Sequence, residues 1–389
     1  MQISLDKISV FFLGLFVLCI SLDPTGQIFH LKEPLFIFLL FLSILNRKNI
    51  KPIPRDVLFV LFFCLILPVW GICISILKDS YVDSVYALGH LKSLLFIFIV
   101  FFLFNIDFQS ILRVLFISGT VLAVITVILF VIAQLNDELF RLAYIRILED
   151  SNIIISMRSY YGYSILGIYF KAGPIIFFSY IYSLYFLNRT SWRLLFIGLN
   201  LFALLIAGSR TPSLIAIFMT IIFMYDKMKF SRTLRCILAF ILGLGLSILI
   251  YYLATEKGET SNEIKYGNFF SYIDNIFDNS NSIIGAGLGS VFMAEGRGRL
   301  ISASEFTFLD IVRIYGLFLG LVFIFLVFYP AYKFYVSKYI YILKYKRFIL
   351  AYIMYMVLAG TNPLLISSTG MFVWAMGLAF VYQLKYSRL

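Results

Sequence analysis

Apolar runs of roughly 15–25 residues, long enough to cross a bilayer as helices, recur from one end of the chain to the other, separated by short basic segments. That repetition constrains the fold more than any other feature. A membrane barrel would show alternating strands of ~10 residues instead. Composition excludes a water-soluble alternative: 62% of the 389 residues are hydrophobic and 13% are charged, against roughly 25% charged in soluble domains. The chain therefore reads as an all-α polytopic membrane protein, with residues 1–389 forming a single integral membrane domain.

The runs give about twelve spans, at 8–22, 33–45, 57–77, 93–106, 112–134, 164–187, 194–208, 212–225, 237–253, 307–329, 348–366 and 370–385. The first lacks a small-residue cleavage site and reads as a retained span. The net charge of +12 raises a nucleic-acid partner, but the basic residues gather in the loops 46–55, 188–193, 226–235 and 332–347. That is the pattern of positive-inside orientation, with both termini cytoplasmic. Two sizeable loops then lie outside, 135–163 and 254–306, the second long enough to fold over a site as a lid. The four cysteines (Cys19, Cys64, Cys73, Cys236) form no Cys-x-x-Cys pair, so neither a disulfide framework nor a thiol metal site is indicated.

Residues 194–225 invite reading as one long span. The loops on either side are both basic, however, so the chain must go out and return. Each arm is then about 14–15 residues, or roughly 22 Å at 1.5 Å per residue, shorter than a ~30 Å core. This places Arg210, at the "GSRTPS" tip, at or just below the outer surface, where an arginine is costly without an anion.

No phosphate-binding loop, His-Glu-x-x-His pair or Asp-x-Asp clamp is present. His30 and His90 fall in expected outer loops, in solvated or hydrogen-bonding roles. What remains for chemistry is arginine at the outer face: Arg141, Arg146 and Arg158 in the first large loop, Arg210 at the hairpin tip, Arg297 and Arg299 in the second loop, and Arg313 in the following helix. Guanidinium groups hold phosphate oxygens in bidentate fashion and stay charged when partly buried. They equally well pair with acids; Asp310 and Arg313, three apart on a helix, suit each other. Glu305 also has two readings. In "SASE" it completes a capping box with Ser302; at the membrane surface below a lid it serves as a general base.

Three segments carry a resemblance. "AGSRTPSLIAIF" (207–218) places a Ser-Arg turn between two helices, and "GAGLGS" (285–290) leads through a loop to "SEFTFLDIVRIYGLFLG" (304–320). "MRSYYGY" (157–163) supplies an arginine–glycine segment. Together they resemble the bacterial O-antigen polymerase and ligase superfamily, on the polymerase (Wzy) side, since ligases carry a His-Asn pair where this chain has Glu305 and Phe306. The resemblance implies a GT-C-like helical fold and a cofactor- and metal-independent glycosyl transfer. Oligosaccharide repeat units carried on undecaprenyl diphosphate would be joined at the periplasmic face of the inner membrane. Glu305 and Arg210 would be catalytic. Arg158, Arg297, Arg299 and Arg313 would meet the diphosphate, with Tyr160 and Tyr161 stacking on sugar rings. Expected partners are the lipid-linked oligosaccharide, membrane lipids and a chain-length regulator, with no nucleic acid. An O-antigen ligase or another exopolysaccharide polymerase is the alternative, and behind these a lipid-linked oligosaccharide flippase or transporter.

Overall fold

The computed structural model describes residues 5–45, 52–79, 81–135, 153–160, 163–188, 190–207, 210–227, 260–278, 281–303 and 305–386, together with residues 138, 141, 243 and 245. The amino-terminal part contributes α1 (Leu5–Leu22), α2 (Lys32–Leu45), α3 (Arg55–Leu77), α4 (Ser84–Leu103, tightening to a 3₁₀ turn at Phe96–Ile99) and α5 (Phe108–Leu135). A hairpin follows, β1 (Ile153–Tyr160) with β2 (Tyr163–Phe170), then α6 (Ile175–Tyr185), α7 (Thr190–Ile206) and α8 (Arg210–Lys227). The remainder comprises α9 (Thr260–Phe277), a short hairpin of β3 (Phe292–Ala294) and β4 (Arg299–Ile301), α10 (Thr307–Tyr315), α11 (Leu317–Tyr335), α12 (Leu343–Gly360) and α13 (Ser368–Tyr386).

Among the described residues, α3, α4, α5 and α11 are long and apolar enough to cross a membrane; Lys7–Leu22, α6 and Ser191–Ile206 are shorter apolar helices. The helical membrane class thus stands. α13 is the centre of the bundle: Ser368 through Leu384 are all buried, as befits a helix that is apolar on every side. It packs against α1, α4, α5, α11 and α12. Small residues let neighbours close in. A Cβ at Gly377 would stand 2.7 Å from the Tyr352 ring of α12. Phe11, Ile37, Phe41, Phe59 and Phe62 remain exposed on α1–α3, an apolar surface suited to lipid.

Four expected spans need correction. Residues 163–170 are not helical but pair antiparallel with β1, in register from Ile153↔Phe170 to Tyr160↔Tyr163. The isoleucines and aromatics of both strands favour extended backbone. Gly173 and Pro174 then hold the start of α6 to Ile175. The expected 93–106 span begins nine residues earlier, at Ser84, because a polar face (Tyr86, His90, Ser93) hides its first turns from a hydropathy reading. The 307–329 span is broken at Gly316, whose φ of +83° no helix contains. The 348–366 span ends at Gly360 and gives way to a turn. Residues 194–225 do divide into two helices: α7 and α8 have 17 and 18 residues, somewhat longer than expected, and Ser213 Oγ donates to Leu204 O at 2.9 Å between them. The span at 237–253 lies outside the described residues.

Gly285 and Gly316 make the break possible. Both have left-handed φ (+87° and +83°), and an added Cβ would land on Ile314 O and Ile283 O respectively. Alanine at either position should destabilise the protein by at least ~1–3 kcal/mol from backbone strain alone. At Gly14 an added Cβ meets nothing, so alanine there should be neutral or stabilising. Thermal unfolding of the detergent-solubilised variants checks this: a fall for Gly285→Ala and Gly316→Ala, none for Gly14→Ala.

Candidate functional site

The glycine segment builds the floor of the site. Gly285, Gly287 and Gly289 all have φ between +82° and +92°. With no side chain at these three positions, the segment threads between three elements. Ala286 N–H donates to Arg313 O at 2.7 Å and Gly287 N–H to Ile314 O at 3.1 Å, at the end of α10. Leu288 N–H donates to Gly71 O of α3 at 2.9 Å, and Gly289 O accepts from Asp83 N–H at 2.8 Å, at the head of α4. A Cβ at Gly287 would strike Ser75 of α3. The motif is a backbone joint.

On this joint sits Arg313, with none of its surface exposed. Nε donates to Asp310 Oδ1 at 2.9 Å, Nη1 to Ser290 O and Oγ at 3.0 and 2.8 Å, and Nη2 to Ser302 O at 2.7 Å. Nη2 also lies 2.9 Å from Asp310 Oδ1, and the Phe292 ring centre is 4.6 Å from the guanidinium carbon. The second Asp310 oxygen accepts from Tyr86 Oη at 2.5 Å. The expected Asp310–Arg313 pairing is therefore present. The fork of Arg313 is filled by protein acceptors, whereas the sequence reading gave it to a diphosphate.

Around this pair α4 is fixed by its own cap. Asp83 accepts from Tyr86 N–H at 3.0 Å and from Ser302 Oγ at 2.9 Å, and these two donors hold its carboxyl below the usual value. Ser302 therefore does not cap α10, which begins at Thr307 after Phe306; the expected capping box with Glu305 is not formed. His90 is not in an outer loop but buried on α4, its Nε2 2.9 Å from Tyr315 Oη and its Nδ1 without a partner among the described residues. His30 is exposed. Between these elements lies a cavity of about 270 Å³, lined by Tyr86, Gly89, His90 and Ser93 of α4 and by Ala303, Thr307 and Asp310 around the head of α10. Pro363 and Ile366 of the α12–α13 turn complete it. Thr307 Oγ1 donates to Asn362 O at 2.6 Å and ties that turn to α10.

Glu305 sits at the edge of this assembly with about a quarter of its side chain exposed (28%), 3.3 Å from Lys265 Nζ of α9 and 3.8 Å from Arg297 Nη2. Arg299 is exposed on β4, two residues from Arg297. The second loop thus brings Glu305 and Arg297 together, and α9 seals against α10 and β3 through Tyr272, Ile276, Phe292, Ala294 and Val312. Arg210 opens α8, while Arg158 and Tyr160 lie on β1. The side chains of these three are outside the described residues, as is Tyr161. Tyr86 and the cavity escaped the sequence reading, which had placed His90 in an outer loop. Their signal is the spacing Tyr86, Gly89/His90, Ser93, one face of a helix.

Fold and site define a mostly helical membrane protein with a buried guanidinium–carboxylate pair beside a small cavity and a charged rim above a joint of glycines. No family model matches the chain. It is similar to the O-antigen polymerase of Shigella flexneri, 22% identical in an alignment over 377 residues that covers 94% of this chain and 90% of that protein. The likeness read from short motifs therefore runs along nearly the whole sequence.

Breaking a buried ion pair on one side leaves an uncompensated charge at a cost of about 3–5 kcal/mol, whereas replacing both partners with apolar residues is far milder. Arg313→Met and Asp310→Leu should each sharply lower the unfolding temperature in detergent. The double variant should recover much of the loss, a coupling that a thermal double-mutant cycle measures.

Proposed function

We propose that this protein is an O-antigen polymerase. The observation that carries the reading is the likeness to a protein of that name over 94% of the chain. A hydroxyl of one undecaprenyl-diphosphate-linked repeat unit attacks the anomeric carbon of the growing chain on another. The C–O bond to the carrier breaks, and undecaprenyl diphosphate leaves. Glu305 is the proposed base for the attacking hydroxyl. Arg297 and Arg299, with Arg210 and Arg158, are the proposed partners of the leaving diphosphate, and oriented cations of this kind stabilise charge as it develops. Tyr160 and Tyr161 are proposed to stack on sugars. Arg313 acts through position, holding Ser290, Ser302 and Asp310 in place.

The pairing of Glu305 with Lys265 and Arg297 supports this division of labour. A diphosphate arriving at these cations competes for them and frees the carboxylate for the hydroxyl. The mechanism assigns no role to a metal or cofactor. The basic loops support cytoplasmic termini and a periplasmic site at the inner membrane, and a chain-length regulator is a proposed partner.

The test is the lipopolysaccharide ladder of a deletion strain complemented in turn with wild type and Glu305→Gln at matched membrane levels. Wild type should restore the ladder. Glu305→Gln should leave core plus one repeat, since a lost general base costs about 10²–10⁴-fold in rate. A deletion strain showing core with no repeat at all would place the defect at ligation or export and overturn the reading.

A further inference from the structure

The cavity beside Asp310 has a chemistry of its own. His90 is more than nine-tenths buried and lines it; Tyr315 occupies Nε2, so Nδ1 is the ring nitrogen left for a ligand. Leaving a buried polar atom unsatisfied is unfavourable, a penalty that a bound partner removes. Ser93 and Thr307 add hydroxyls to the same wall, and Tyr86 presents a ring beside its bond to Asp310. Pro363, Ile366 and Ala303 make the other side apolar.

The charge balance narrows the occupant. The charged side chain on the lining is Asp310, and Arg313 neutralises it from behind with a fork already filled by protein acceptors. Among the described residues, the lining contains no cation to receive a phosphate. A purely hydrocarbon occupant would leave His90 Nδ1 unsatisfied. The cavity suits a neutral ring that carries hydroxyls on its edge and C–H groups on its face. Its volume of about 270 Å³ lies near the low end of the ~300–1,000 Å³ typical of small-molecule pockets, enough for one sugar ring and not a whole repeat unit.

We infer that the cavity between α4, the head of α10 and the α12–α13 turn is a monosaccharide subsite, with His90 Nδ1 hydrogen-bonding a ring hydroxyl. The inference rests on the glycosyl-transfer reading for the identity of the ligand. It separates sugar recognition from diphosphate recognition: the ring is held below, among Tyr86, His90 and Ser93, and the diphosphate is held at the Lys265, Arg297 and Arg299 rim.

Gly89 supplies the test. It lies on the cavity face of α4, and a Cβ built there meets nothing within 4 Å. Replacing a helical glycine also favours the helix. Gly89→Leu should therefore fold and fill the cavity, while Gly89→Ala leaves most of it open. Ser93→Met, about one turn along the same face, provides a second plug. Full-length protein in nanodiscs is titrated with two probes: the oligosaccharide repeat released from the host strain's own lipid-linked pool, and inorganic pyrophosphate. Wild type and Gly89→Ala should bind the oligosaccharide. Gly89→Leu and Ser93→Met, with unfolding temperatures like wild type, should bind it at least tenfold more weakly and keep pyrophosphate binding within twofold. Folded plug variants that bind the oligosaccharide like wild type, or lose pyrophosphate equally, overturn the subsite. So does wild type that binds no oligosaccharide. A ladder restored by wild type and by Gly89→Leu alike overturns the subsite alone and leaves the polymerase reading in place.

Discussion

The structure depends on one buried interaction, the Arg313–Asp310 pair. An arginine with no exposed surface is tolerable only where acceptors fill its fork, and here they come from three separate stretches: Ser290 after the glycine segment, Ser302 before α10, and Asp310 one turn back on the same helix. Asp310 in turn reaches Tyr86 on α4. Segments more than two hundred residues apart are thereby held to one point. Such a pair contributes more to uniqueness than to net stability, because its desolvation offsets most of its attraction. Its consequence is geometric: it fixes the head of α4 against the head of α10 and leaves the cavity between them.

Glycine makes that geometry attainable. The segment from Gly285 to Gly289 brings backbone to backbone with α3 and with the end of α10, and Gly316 turns the chain out of α10 into α11. A continuous helix from 307 to 329 would carry Arg313 through the bilayer with a regular apolar span. The break lets a short amphipathic helix end at the joint and a separate apolar helix begin. Above the joint, α9 and the β3–β4 hairpin pack their own small apolar cluster against α10 and place Arg297 and Lys265 beside Glu305.

Much of this was legible in the residues and some was not, for identifiable reasons. The membrane class followed from composition, the division of 194–225 into two helices from basic loops on both sides, and the Asp310–Arg313 contact from helical spacing. The β1–β2 hairpin was hidden because its isoleucines and aromatics satisfy a hydropathy reading as well as a helix does. The early start of α4 was hidden because the polar side chains that face the cavity lower its mean hydropathy. Ser302 looked like a helix cap, and only tertiary structure shows that Asp83 takes its hydroxyl. His90 was misplaced for the same reason as α4. In each case the local pattern was compatible with two structures, and a distant partner decided between them.

The most direct measurement of the account is chain growth by the purified protein. Wild type in nanodiscs, supplied with undecaprenyl-diphosphate-linked repeat units and no nucleotide sugar, should convert them to a series of longer lipid-linked oligosaccharides. It should release one undecaprenyl diphosphate for each bond formed. If the folded protein leaves the repeat units unjoined, or transfers them only to an added lipid A core, the proposed polymerisation is contradicted.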